Sequence, residues 1–305
     1  MKKTSKIWIG VLLILLVVSA AAGGLWAVSR LLPAEEDESE VRFFLADGMR
    51  YTPIERLEGT ASGFTIPSTE LGPLLEEAKR AVEERMAAEQ AKSRLEGLVI
   101  GIDPGHQNKG DSAKEPNAPG SAVMKAAVAS GTTGRFSKVP EHQVTLAVGL
   151  LLRDMLEEAG ATVIMTRETG NVNISNVQRA MLLNEAKVDL AVRIHCDGAD
   201  SSDVRGASML VPAGDYVRGI EEASYKAGSI VMDSFVAITG AKNRGLSKRD
   251  DQTGFNWSTV PVITIEMGFM SNEQEDAKLV SEDYQRLCAQ GLYEGIAQWH
   301  EQVFR

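Results

Sequence analysis

Over the C-terminal two-thirds of the chain, apolar residues fall into two alternating patterns. Short runs rich in Val and Ile, at residues 98–102, 161–165, 190–194 and 260–265, are bounded by turn residues and predict strands buried on both faces. Between them, residues 141–159 carry Val144, Val148, Leu151, Leu152, Met155 and Leu156 at helical spacing, with Gly160 as the stop. Residues 179–187 and 221–239 repeat the helical period. Strands interleaved with helices predict a layered α/β domain. There is no internal repeat.

The pattern differs upstream. Lys2, Lys3 and Lys6 precede an uncharged stretch over residues 7–29, long enough at about 1.5 Å per helical residue to cross a hydrocarbon core. Ala20-Ala21-Ala22 offers a small-residue cleavage pattern. The apolar run nevertheless continues through Leu25-Trp26-Ala27-Val28, so the expectation is a retained anchor, with the lysines cytoplasmic and the remainder exported. Glu35-Glu36-Asp37-Glu38-Ser39-Glu40 then repels itself into a solvated spacer. Residues 41–67 are short segments broken by Gly48, Pro53, Gly59, Gly63 and Pro67. Ser68 or Thr69 starts a stalk helix with Leu71, Leu74, Leu75, Ala78, Val82 and Met86 on one face. The chain thus divides into a membrane anchor or signal peptide at 1–30, an acidic linker and helical stalk at 31–97, and a catalytic domain at 98–305.

Composition narrows the function classes. A hydrophobic fraction of 44% with 24% charged residues is that of a chain able to bury a core. A formal charge of −10 argues against nucleic acid, which needs surplus Lys and Arg to neutralise phosphates. An exported chain with only Cys196 and Cys288 is no disulfide scaffold, and two buried free thiols are expected.

The candidate chemistry lies at the ends of the expected strands. The first strand runs into Asp103-Pro104-Gly105-His106, the third ends at His195 and the fourth at Glu266. In an open α/β sheet the functional crevice lies beyond the carboxyl ends of the strands, so parallel neighbours would bring these groups together. Glu141 begins the long helix after Pro140. Two imidazoles and a carboxylate are a ligand set for catalytic zinc, leaving the other carboxylate to move a proton. On spacing alone His142 competes with Glu141, and Cys196 with His195, although successive strand residues face opposite sides. The helical His-Glu-x-x-His signature is absent, because His300-Glu301-Gln302-Val303-Phe304 fails at its fifth position.

From about residue 98 to the C-terminus the chain resembles the zinc-dependent N-acetylmuramoyl-L-alanine amidases. The likeness rests on Ile102-Asp103-Pro104-Gly105-His106, Pro140-Glu141-His142-Gln143-Val144-Thr145-Leu146-Ala147, Gln178-Arg179-Ala180, residues 189–195, Asn243-Arg244-Gly245 and Ile265-Glu266-Met267-Gly268-Phe269-Met270-Ser271-Asn272, in that order. The resemblance implies a mixed, mostly parallel sheet flanked by helices, here preceded by an N-terminal membrane segment and the stalk. It implies Zn2+ held by His106, Glu141 and His195, with Glu266 as the catalytic carboxylate acting on the bond between N-acetylmuramic acid and L-alanine of peptidoglycan. Arg244 and Arg179 are candidates to hold anionic stem-peptide groups. The rival readings are a zinc peptidase acting within the stem and an inactive wall-binding module. The chain departs from the family in having Arg193-Ile194-His195-Cys196-Asp197 where Ser-Ile-His-x-Asn is usual. It also has a long, turn-rich segment between His106 and Glu141, expected to border the cleft.

Overall fold

The computed structural model describes residues 94–304, together with residues 40–44 and 63–67 and the helical positions Arg80, Glu84 and Ala87. The expected anchor, the acidic run before Glu40 and most of the expected stalk helix lie outside the described residues. Among the described residues, no helix is long and apolar enough to cross a membrane. The chain divides into two units, Met1–Ala91 and Lys92–Arg305. In the first, β1 (Glu40–Phe44) pairs antiparallel with β2 (Gly63–Pro67).

The second unit contains, in chain order, β3 (Val99–Pro104), β4 (Asp111–Pro116), β5 (Met124–Val128), α1 (Glu141–Glu158), β6 (Thr162–Met165), α2 (Asn176–Glu185), β7 (Leu190–Asp197), β8 (Ala207–Pro212), α3 (Glu221–Thr239), β9 (Asn243–Arg249), α4 (Thr253–Asn256), β10 (Val262–Phe269), α5 (Glu273–Leu279) and α6 (Glu282–Phe304). Six strands form a sheet in the order β6-β3-β7-β10-β8-β9. The first four run parallel, β8 runs antiparallel to β10, and β9 runs parallel to β8. The sheet is therefore mixed and mostly parallel, as expected. The segment between His106 and α1 folds into the antiparallel pair β4–β5. Sequence patterning left out several of these elements, among them β4, β5, β8, α5 and α6, and two further departures have plain physical reasons. The polar run of β9 is an edge strand with no second neighbour to bury it. The start of α2 lies three residues before the expected 179, where Ser175 and Gln178 form a reciprocal capping box.

Alternation along the strands sorts the two faces. Ile100, Ile102, Val192, Ile194, Ile263 and Ile265 pack in one cluster with Val148 and Leu152 of α1, Phe235 of α3 and Leu292 of α6. The opposite face is thinner, with Ala191, Leu210 and Val262 meeting Leu183 of α2 and Phe255 of α4. Toward the carboxyl ends this second face turns polar: Asp103, Arg193, His195, Thr264 and Glu266 alternate onto it.

Asp103 ties that face together. Its Oδ1 accepts from Arg179 Nη1 at 2.7 Å and Thr166 Oγ1 at 2.6 Å, and its Oδ2 accepts from Arg193 Nε at 2.9 Å. Burial alone would push its carboxyl up, but the Arg179 and Arg193 charges outweigh it and hold Asp103 well below the usual carboxylate range. The Arg193 that replaces the family's serine is therefore half of an internal ion-pair web. Arg179, expected to hold a substrate anion, is corrected by the same web. Besides Asp103 it donates to the carbonyls of Pro104, His106 and Ile174 and to Gln107 Oε1, so all five of its N–H donors are used inside the protein.

Replacing Asp103 with Ala leaves two buried guanidinium groups without their counter-charge. The expected loss is about 3–5 kcal/mol of unfolding free energy, the scale for breaking a buried pair from one side. Denaturant titration of the variant measures it, and a loss below about 1 kcal/mol would remove Asp103 from this role.

Candidate metal centre

The ends of β3 and β7 and the first turn of α1 meet beyond the sheet. His106 leaves β3 through Pro104-Gly105 with φ of 62°, a left-handed conformation uncommon for a residue with a side chain. The carbonyls around it hold it there: Arg167 donates to those of Pro104 and Gly105 at 2.9 Å each, and Arg179 to that of His106 at 3.0 Å. Its Nδ1 donates to the Ala129 carbonyl at 2.8 Å, which turns Nε2 toward Glu141 Oε2 at 3.1 Å. On the other side Glu141 Oε1 lies 3.1 Å from His195 Nδ1. The two imidazoles meet edge to face, with centroids 4.8 Å apart.

Glycine makes this approach possible at two points. A Cβ on Gly105 would lie 2.3 Å from Cε1 of His195, inside the ring's contact distance. One on Gly131 would lie 2.8 Å from the His106 ring and 2.9 Å from Glu141 Oε2, and its φ of 81° already favours glycine.

Glu141 also accepts from the backbone N–H groups of Cys196 at 2.9 Å and Thr132 at 2.8 Å. Burial tends to raise its carboxyl, but the contacts with His106 and His195 outweigh this and hold it below the usual carboxylate range. Burial pushes His195 down to about 4, so the ring is neutral near pH 7. An ionised carboxylate and a neutral imidazole are the forms that bind metal. The ligand atoms of His106, Glu141 and His195 lie within 4.8 Å of one another. His195 Nε2 is buried with no hydrogen-bond partner. With Nδ1 of His106 occupied as a donor, a neutral ring directs its Nε2 lone pair at an anionic oxygen, and a cation between them satisfies both. The residues present therefore fit a divalent ion.

The competing candidates separate by geometry. His142, one position further along α1, is buried outside this cluster, and its carbonyl accepts from Arg167 Nη2 at 2.9 Å. Cys196 points into the main core, the opposite side of β7 from His195. Both cysteines are free and buried, as expected. Glu266 stands beside His195 in register on the neighbouring strand. Its Oε2 is sealed from solvent without a partner. Burial, and then the nearby Glu141 charge, push its carboxyl well above the usual range. Arg244 is exposed on β9, with its guanidinium 5.0 Å from the Phe269 ring centroid, and it is not among the residues lining the cleft.

That cleft, of about 670 Å³, is lined by His106 and Glu141 and by two loops, 131–135 and 196–200. The inserted segment thus borders the cleft and also supplies Ala129 and Thr132 to the side chains of the cluster. Sequence reading located the insertion but not these residues, because a backbone carbonyl or N–H carries no side-chain signature.

Comparison with known proteins gives the family. The pattern of the N-acetylmuramoyl-L-alanine amidase family matches residues 100–298. An N-acetylmuramoyl-L-alanine amidase of Mycobacterium tuberculosis is 29% identical over 218 residues, spanning 69% of this chain and 90% of that protein. The germination-specific N-acetylmuramoyl-L-alanine amidase of Bacillus subtilis is 29% identical over 219 residues, spanning 67% and 81%. Among solved structures, the N-acetylmuramyl-L-alanine amidase Ami1 from Mycobacterium smegmatis has a TM-score of 0.63 at 25% identity, covering 68% of this chain and 99% of that one.

The raised Glu266 carboxyl makes stability depend on pH. A folded-state pKa above the unfolded value contributes stability that is present below the unfolded value, about 4.3, and lost as pH rises through the folded one. Glu266→Gln removes the cost of burying the charge. The metal-free variant is expected to melt a few degrees above the metal-free wild type at pH 8, with the gap closing below about pH 4. Thermal melts in chelator across that range test this; a gap that does not change with pH would count against a buried, destabilised carboxylate.

Proposed function

The chain belongs to the N-acetylmuramoyl-L-alanine amidase family, and from that premise we propose that it hydrolyses the amide joining N-acetylmuramic acid to L-alanine in peptidoglycan, with His106, Glu141 and His195 holding zinc. The observation that carries this reading is the meeting of those three side chains, within 4.8 Å at their ligand atoms, inside the family-matched span. Three protein ligands drawn from His and carboxylate are the set used by catalytic zinc. When bound, zinc supplies a Lewis acid that polarises the amide carbonyl and acidifies water.

The remaining steps fall to the chain's own groups. Glu266 takes the proton of the attacking water and returns it to the departing amine of L-alanine, a transfer suited to a carboxyl raised toward the working pH. Ala129 fixes the ring of His106, and the N–H groups of Thr132 and Cys196 fix the carboxylate of Glu141. Such outer contacts orient ligands and commonly govern metal affinity. The site works outside the cytoplasm, with the N-terminal segment as its tether. Support for this comes from the substrate's place in the cell envelope and from the lysines ahead of the uncharged residues 7–29.

The full-length protein is expected to bind about one zinc per chain and to release intact stem peptides with L-alanine at the N-terminus from muropeptides. New termini inside the stem would mark a peptidase, and a metal-loaded chain without turnover would mark a binding module. Glu266→Gln is expected to keep its zinc and lose at least about 100-fold in rate, the scale of general acid-base catalysis. A near-normal rate in the loaded variant would remove Glu266 from the role.

Gly131→Ala forces a methyl group against both His106 and Glu141. Zinc affinity, measured by competition with a chelator, is expected to fall roughly 10- to 100-fold. Unchanged affinity would show that the inserted loop yields without disturbing the ligands.

A further inference from the structure

The walls of the cleft are acidic. Glu141, Asp197 and Asp200 line it, and Arg135 is the only Arg or Lys among the described residues that do so. We propose that Arg135 is a specificity-determining residue that binds a free carboxylate of the stem peptide close to the scissile amide. This inference rests on the amidase reading above and adds to it the chemical class of substrate preferred.

Three features support it. The first is charge: every side-chain hydrogen bond of Arg135 goes to a backbone carbonyl, namely to Ala199 at 2.9 Å and to Asp200 at 3.2 Å from each terminal nitrogen. No carboxylate among the described residues accepts from it, so its positive charge is not neutralised by an ion pair. A guanidinium has five N–H donors, and these three contacts leave Nε–H and one Nη1–H free.

The second is rigidity on both sides of the guanidinium. The turn that carries Arg135 is clamped to the fully buried Asp276 of α5, which accepts from the N–H groups of Phe136 at 2.7 Å and Ser137 at 2.8 Å and from Ser137 Oγ at 2.6 Å. Arg135 N–H also donates to the Met270 carbonyl at 2.9 Å. The acceptor loop is fixed in turn, because Ala199 N–H donates to Ser271 Oγ at 3.0 Å and Met270 N–H to the Asp197 carbonyl at 2.8 Å. A cation held this way loses little further freedom when it grips an anion.

The third is reach. A cavity of 670 Å³ is roughly 11 Å across if taken as a sphere, the length of about three extended residues. A peptide whose scissile amide lies at His106 and Glu141 therefore brings to Arg135 a group within about three residues of that bond. Against acidic walls, a carboxylate at this distance meets one complementary charge, whereas a carboxamide in its place gains only a weaker, uncharged hydrogen bond.

The test uses two muropeptides identical except that the acidic residue nearest L-alanine carries a free carboxylate in one and a carboxamide in the other. The wild-type full-length protein is expected to favour the free acid in kcat/KM by roughly 10- to 100-fold, the range of a charge-assisted hydrogen bond. In Arg135→Ala the ratio collapses toward one, mainly through KM on the acid, and Arg135→Lys restores part of it. A wild type that treats both alike, or a variant that loses equally on both, overturns the proposal. If the wild type cleaves neither, the amidase reading fails. Calorimetric binding of the same two peptides to wild type and Arg135→Ala then decides the carboxylate subsite separately: a preference for the acid that Arg135→Ala abolishes supports it, and its absence overturns it.

Discussion

A single buried carboxylate, Asp103, sets the geometry on which the rest of this site depends. It draws one arginine from β7 and another from α2, together with the threonine that follows β6, to the end of β3. The arginines do more than neutralise it. Arg179 reaches on to the carbonyls of Pro104 and His106, and the nearby Arg167 takes those of Pro104, Gly105 and His142. A backbone gripped at consecutive carbonyls cannot relax, and this is how His106 persists in a left-handed conformation. The Asp-Pro-Gly-His corner thus divides its labour: the acid anchors, the glycine makes room for His195, and the histidine faces the cleft.

The candidate metal cluster is assembled from both faces of the sheet. His195 belongs to the polar second face, while Glu141 comes from α1, whose apolar side packs on the main core of the first face. The two meet only past the end of β7, where the Cys196 N–H reaches Glu141 Oε1. Because α1 is locked by Val144, Val148, Leu152 and Leu156, its first residue is delivered at a fixed height above the strand ends. The fold leaves His195 Nε2 and Glu266 Oε2 buried without protein partners, groups that oppose stability and favour chemistry.

The inserted segment gives this chain its particular cleft. One part, Ala129 to Thr132, braces His106 and Glu141, and the next, around Arg135, lines the cleft and meets the 197–200 loop. Bracing and the proposed carboxylate contact of Arg135 therefore share one stretch of chain, clamped at its far end to the buried Asp276.

The alternation of Val- and Ile-rich runs with helical stripes was enough to determine the parallel strands, α1 and α3, because burial on both faces and on one stripe leaves different periods in the sequence. It was also enough to bring His106, His195 and Glu266 to one end of the sheet, since parallel neighbours share their carboxyl ends. Spacing left Glu141 and His142 open and the resemblance favoured Glu141; the tertiary structure supplies the reason, because residues one apart on a helix point about 100° apart and packing sets which direction faces the strands. Tertiary structure alone turned Arg179 and Arg193 inward, since an arginine's sequence does not reveal whether a carboxylate awaits it 76 or 90 positions away. It alone made contacts of Ala129, Gly131 and Thr132, whose contributions are a carbonyl, a missing methyl and an N–H. Those groups occur throughout the chain and acquire meaning only from what stands opposite them.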